Sequence, residues 1–122
     1  MALASERRLV LLAEDDVMVR NLVRLVLEEA NFAVMVAADG VEALAVSRAH
    51  PERIDILLTD LDMPRMNGVS LIEQIQQERP EIRVLAISGR LWEPLRIANV
   101  EVSVLPKPFS PDVLVQTIRA LL

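Results

Sequence analysis

The stretch LLTDLDMPRMNG, residues 57–68, runs an apolar segment straight into an acid, Asp60. Asp62 follows two positions later, and Pro64 and Gly68 then turn the chain. An acid there could simply cap a surface turn. Other reactive residue types, however, stand at comparable places. Glu14, Asp15 and Asp16 follow RLVLLA, Ser88 and Gly89 end IRVLAISG, and Lys107 lies between Pro106 and Pro108. Gathered in one place, these five carboxylates would repel and raise one another's pKa. A divalent cation relieves that cost, and hard oxygen ligands with open positions suit Mg2+. With no Cys and a single His, zinc is disfavoured. Beside such an ion Asp60 has what an acyl-phosphate nucleophile requires. It is a carboxylate, with Lys107 and Ser88 available to hold the remaining phosphoryl oxygens.

The elements that must position these residues alternate in type. RLVLLAE, ending at Glu14, is a continuous apolar run of the kind expected of a strand buried on both faces. DVMVRNLVRLVLEEA then repeats apolar residues at helical spacing (Val17, Val19, Leu22, Val23, Leu25, Val26), and Asn31 breaks it. FAVMVA predicts a second strand, and GVEALAVSRAH a second helix that stops before Pro51. IDILLT predicts the third strand, GVSLIEQIQQER the third helix, IRVLAIS the fourth strand and VEVSVLP the fifth. SPDVLVQTIRALL closes the series as a helix with Ser110 as N-cap and Pro111 at its first position. Such alternation gives an α/β sandwich around a doubly wound parallel sheet, whose working site lies at the carboxyl ends of its strands. Every reactive residue named above falls at such an end.

At 122 residues the chain reads as one unit, 1–122, without repeat, linker or low-complexity tract. Apolar residues make up 52% and charged ones 25%, enough for a substantial core. A net charge of −5, with two Phe, one Trp and no Tyr, argues against direct nucleic-acid binding. No apolar run is long enough to span a bilayer, and MALASERR lacks the apolar core of a secretory leader. Together with the absence of Cys, this suits a cytoplasmic protein with no membrane contact.

Four segments in this order, LLAEDD at 11–16, DLDMPRMNG at 60–68, AISG at 86–89 and LPKPF at 105–109, resemble the receiver domain of two-component response regulators over essentially the whole chain. The resemblance implies a flavodoxin-like fold with five parallel strands in the order 2-1-3-4-5, an order that general accounts of doubly wound sheets already give for this fold. It implies Asp60 as phosphoacceptor, and Mg2+ held by Asp15, Asp60, the backbone carbonyl of Asp62 and Glu14, the last where many relatives carry Asp. It implies Ser88 as the switch hydroxyl, Gly89 as an open approach to the phosphoryl group, and Lys107 as its cationic partner, with a cis bond to Pro108. The phosphodonor would be a histidine kinase or a histidine phosphotransfer protein. Asp62 and Arg90 occupy positions that tune acyl-phosphate hydrolysis in relatives. A single receiver domain and the receiver module of a hybrid histidine kinase both fit, and neither would be an enzyme beyond its own phosphorylation and dephosphorylation.

Plainer roles suit the neighbours. Asp16 reads as a helix cap, His50 as a helix-end residue, Met63 and Met66 as packing, and Phe109 as buried under the sheet. The DLDM tetrapeptide also fits the DxD opening of haloacid-dehalogenase-type phosphohydrolases. In those enzymes, though, the acidic pair comes late, whereas here it stands at 14–15. A flavodoxin-like cofactor site would need a Gly/Ser/Thr-rich loop where AEDDVM stands. Two departures from the receiver pattern concern output. Val104 takes a place often aromatic, and the short stretch before the fifth strand leaves room only for a short or irregular fourth helix at 93–98. Trp92 is expected on that responsive surface.

Overall fold

The computed structural model describes residues 7–90 and 94–122. Its elements are β1 (Leu9–Ala13), α1 (Val17–Glu29), β2 (Ala33–Ala37), α2 (Gly40–Ala49), β3 (Ile56–Asp60), α3 (Gly68–Glu78), β4 (Arg83–Ser88), β5 (Leu95–Ile97), β6 (Val100–Pro106) and α4 (Pro111–Leu121). The sheet order is β2-β1-β3-β4-β6-β5. Five strands pair in parallel in the expected order, β6 being the expected fifth. The chain leaves β1 to one side for β2 and returns to its other side for β3. The carboxyl ends of β1 and β3 therefore flank the point where strand order reverses.

Strand periodicity divides the interior into two layers. Val10, Leu12, Ile56, Leu58, Leu85 and Ile87 point to one face, where α1 and α4 cover them with Val23, Leu27, Leu114 and Ile118. Leu11, Ala13, Leu57, Val84 and Ala86 point to the other, under Leu44 of α2 and Leu71, Ile72 and Ile75 of α3. Strands buried on both faces read as unbroken apolar runs, which is why they stood out in the sequence. Helix ends follow local chemistry. Asp16, Asp39, Asn67 and Ser110 each accept hydrogen bonds at an N-terminus. Asn31, at φ 74, ends α1 in the left-handed conformation that asparagine tolerates. The apolar spacing of α1 conceals two faces. Val23 and Leu27 are buried, while Val17, Met18, Leu22 and Leu25 face solvent.

One expectation is overturned. The segment before β6 holds a strand, β5, at 95–97 in place of a fourth helix. β5 runs antiparallel to β6, with Ile97 opposite Val100 and both turn residues, Ala98 (φ 50) and Asn99 (φ 64), left-handed. A two-residue loop with both φ values positive matches the twist of the flanking strands, so the chain reverses there as a hairpin. Ile97 then joins the core beneath α3, and the sheet gains a sixth strand. Trp92 lies outside the described residues.

Candidate functional site

Each reactive side chain is delivered by a strand end. At the end of β1 the Glu14 amide donates to the Ala37 carbonyl (3.0 Å), and the Arg20 guanidinium holds the Glu14 carbonyl (2.9 Å). Glu14 is thereby buried at 1% exposure, while the next residue, Asp15, is exposed. Asp16 caps α1 through the Met18 and Val19 amides, as expected of it. At the end of β3, Asp60 is 4% exposed. Its Oδ1 accepts from the Asp62 amide (2.9 Å) and its Oδ2 from Lys107 Nζ (2.8 Å). At the end of β4, Ser88 is buried and its Oγ accepts from the Arg90 amide (3.0 Å). The Lys107 amide donates to the Ser88 carbonyl (2.8 Å), which carries the last pairing of β4 and β6 up to the lysine. The Lys107–Pro108 bond is cis.

Carboxylate oxygens of Glu14, Asp15 and Asp60 all lie within 4.8 Å of one another. Burial is the main cause that pushes the Glu14 carboxyl up to about 7; nearby Asp60 adds to it, and the Asp16 amide opposes it. Burial works against the Lys107 charge, but the hydrogen bond and charge of Asp60, followed by Glu14 and Asp15, outweigh it and raise its pKa. Glu14 Oε1 is buried without a hydrogen-bond partner, and Lys107 Nζ, at 3.7 Å, reaches it only as a charge. A buried acceptor left in that state calls for a further partner. Oxygen donors from three carboxylates fit a hard divalent cation such as Mg2+.

The structure thus brings Glu14, Asp15, Asp60 and Lys107 into one cluster, with Ser88 joined to it through the backbone. Asp62 is exposed. Its carboxylate stands 3.9 Å from the Arg90 guanidinium, an ion pair with both side chains largely exposed. A Cβ built on Gly89 meets nothing within 4 Å, so no neighbour dictates a glycine there. Gly68 is different, since a Cβ there would run into the Asp60 carbonyl oxygen and stand 2.7 Å from Leu61 Cα. The glycine lets α3 begin directly against the backbone of Asp60. Sequence reasoning passed over Arg20, Asp39 and Arg65. The first pins Glu14, and the other two pair at 2.7 Å beside the β3–α3 loop. A single arginine in a loop gives no sequence signal of such a role. Val104 is half-buried against the α2–α3 core, and Phe109 and Met66 are half-buried as packing residues.

The family model described as "Response regulator receiver domain" matches residues 10–119. The chain belongs to the response regulator receiver domain family. The receiver domain is 33% identical to the alkaline phosphatase synthesis transcriptional regulatory protein SphR of Synechococcus elongatus, over 98% of this chain and 50% of that one. It is 33% identical to the sensor kinase CckA of Brucella abortus, over 93% of this chain and 12% of that one. The chain therefore spans half or less of these relatives. Among solved structures, chemotaxis protein CheY4 of Vibrio cholerae superposes with a TM-score of 0.84 at 26% identity, covering 95% of this chain and 99% of that one. The receiver domain from hybrid histidine kinase CckA superposes at 0.81 with 28% identity, covering 93% and 97%. This is a signalling domain of two-component systems, and the phosphohydrolase reading finds no support. No helix among the described residues is long and apolar enough to cross a membrane.

Proposed function

We propose that this receiver domain takes a phosphoryl group onto Asp60 from the phosphohistidine of a histidine kinase or a histidine phosphotransfer protein, and later loses it by hydrolysis. One observation carries this reading. The buried Asp60 carboxylate stands at its strand end with Lys107 Nζ 2.8 Å away and the carboxylates of Glu14 and Asp15 beside it. In the transfer, an Asp60 oxygen attacks phosphorus and the P–N bond to the donor breaks, its electron pair leaving with the histidine nitrogen. The Asp62 amide fixes one carboxylate oxygen, so the nucleophile meets its donor in a defined orientation. Lys107, tethered through its own amide to Ser88, supplies a fixed positive charge to the phosphoryl oxygens. The Ser88 hydroxyl offers a further donor, and exposed Gly89 leaves the approach open. In hydrolysis, water attacks phosphorus and the acyl P–O bond breaks, returning the Asp60 carboxylate and inorganic phosphate. Glu14, Asp15, Asp60 and the Asp62 carbonyl would hold Mg2+, which when bound offsets negative charge on the phosphoryl oxygens.

Mass spectrometry after acetyl phosphate treatment in Mg2+ tests the assignment. One phosphoryl adduct is expected in the native chain and none in Asp60→Asn. An undiminished adduct in that variant would remove Asp60 as the acceptor.

A further inference from the structure

The loop from Leu61 to Asn67 leaves the phosphoacceptor and is tied at both ends. The Asp62 amide bonds the Asp60 carboxylate, and Gly68 sits against the Asp60 backbone. Its middle departs from ordinary backbone geometry. The Met66 amide bonds the Pro64 carbonyl (2.8 Å), closing a three-residue turn around Arg65 at φ 64. A tight turn of that hand is uncommon and strained for a residue with a long side chain. Such strain persists where surrounding contacts hold it, and it tends to collect at functional sites.

Here the holding contacts come from the β2–α2 junction. Arg65 reaches Asp39 Oδ2 at 2.7 Å, while Asp39 Oδ1 caps α2 through the Glu42 amide at 2.8 Å. Asp39 is 8% exposed, and its carboxyl is held below the usual range by Arg65 first and the cap second. Met66 is seated on Gly40, where a Cβ would come within 2.7 Å of its carbonyl oxygen. We propose that Arg65 and Asp39 form a latch between the β2–α2 and β3–α3 loops, and that these positioning residues hold the Asp62 segment in register with Asp60. The inference rests on the Mg2+ and phosphoacceptor reading above and adds the partner loop that keeps that site assembled. Because the arginine is largely exposed, the latch is a modest interaction, and its loss should change the site severalfold without abolishing it.

Two substitutions separate positioning from simple stability. Arg65→Gly removes the guanidinium and relieves the left-handed backbone, and Asp39→Asn keeps a capping side chain while removing the charge. Mg2+ affinity by calorimetry, hydrogen exchange at the Asp62 amide and the melting temperature in EDTA are measured on both, on the double variant and on Arg65→Lys. The latch predicts that Mg2+ affinity falls three- to tenfold in each single variant and no further in the double. Exchange at Asp62 should quicken, Arg65→Lys should recover at least half of the loss, and the EDTA melting temperature of Arg65→Gly should be unchanged or higher. Native Mg2+ affinity and native Asp62 exchange in Arg65→Gly would overturn the proposal, as would losses that add in the double variant. Absence of any phosphoryl adduct on the native chain, with these Mg2+ and exchange effects still present, would overturn the phosphoacceptor reading and leave the latch standing.

Discussion

At the scale of single residues, Glu14 carries the largest unbalanced electrostatic load. Its carboxyl is raised from 4.5 to about 7 chiefly by burial, so without metal the folded state holds this proton more tightly than the unfolded chain does. The stabilisation is therefore fully present below the unfolded value near 4.5 and is lost as pH rises through about 7. With a conversion of ~1.4 kcal/mol per unit, the loss has a ceiling of about 3–4 kcal/mol. In EDTA, the melting temperature of the native chain should fall between pH 5 and pH 8, and Glu14→Gln should remove that part of the slope. Melting curves across the range decide it, and a parallel slope in the variant would show that Glu14 is already ionised in the fold. A divalent cation at this site would favour the charged form and so reverse the trend, making Mg2+ bind more tightly toward pH 8.

At the scale of elements, the β5–β6 hairpin is the piece of the sheet built on the least favourable turn. Its turn residues Ala98 and Asn99 both have positive φ, which suits Asn-Gly far better than Ala-Asn. The left-handed region costs a residue with a Cβ roughly 1–2 kcal/mol. Replacing the pair by Ala98→Asn with Asn99→Gly should stabilise the fold by about 1 kcal/mol. Urea unfolding should show this as a higher midpoint with an unchanged slope, and an unchanged midpoint would mean that the turn stores no such strain. The same residues explain what the sequence could and could not disclose. Apolar runs such as LVLLA and the ILL of β3 are legible because burial on both faces favours apolar residues, and the acids, hydroxyl and lysine at the strand ends were legible with them. A three-residue strand is too short to show a period, and a turn lacking Asn-Gly gives no hairpin signal. A short helix was expected at 93–98, where residues 95–97 form a strand. The Arg65–Asp39 contact was hidden for another reason, since it joins two loops that become neighbours only when the sheet closes.

At the scale of the whole molecule, two apolar layers hold the sheet, while one end of it collects charge that those layers do not need. Glu14 and Asp60 are buried beside exposed Asp15, and Lys107 is the one ammonium in contact with them among the described residues. Three carboxylates against one ammonium leave the metal-free fold carrying repulsion that the unfolded chain relieves by separating them. A ligand that binds only the folded site adds stability by mass action, about 2.7 kcal/mol at a hundredfold excess over Kd. Asp15 is the cleanest probe, because it is exposed and can lose its charge without leaving a buried group unpaired. Asp15→Asn should raise the EDTA melting temperature, since one repulsion is gone, and should remove most of the further rise that Mg2+ gives the native chain. The two shifts have opposite signs, so a general loss of structure cannot imitate them. A melting temperature that climbs with Mg2+ in Asp15→Asn as steeply as in the native chain would strike Asp15 from the ligand set. The cation would then rest on Glu14, Asp60 and the Asp62 carbonyl without it.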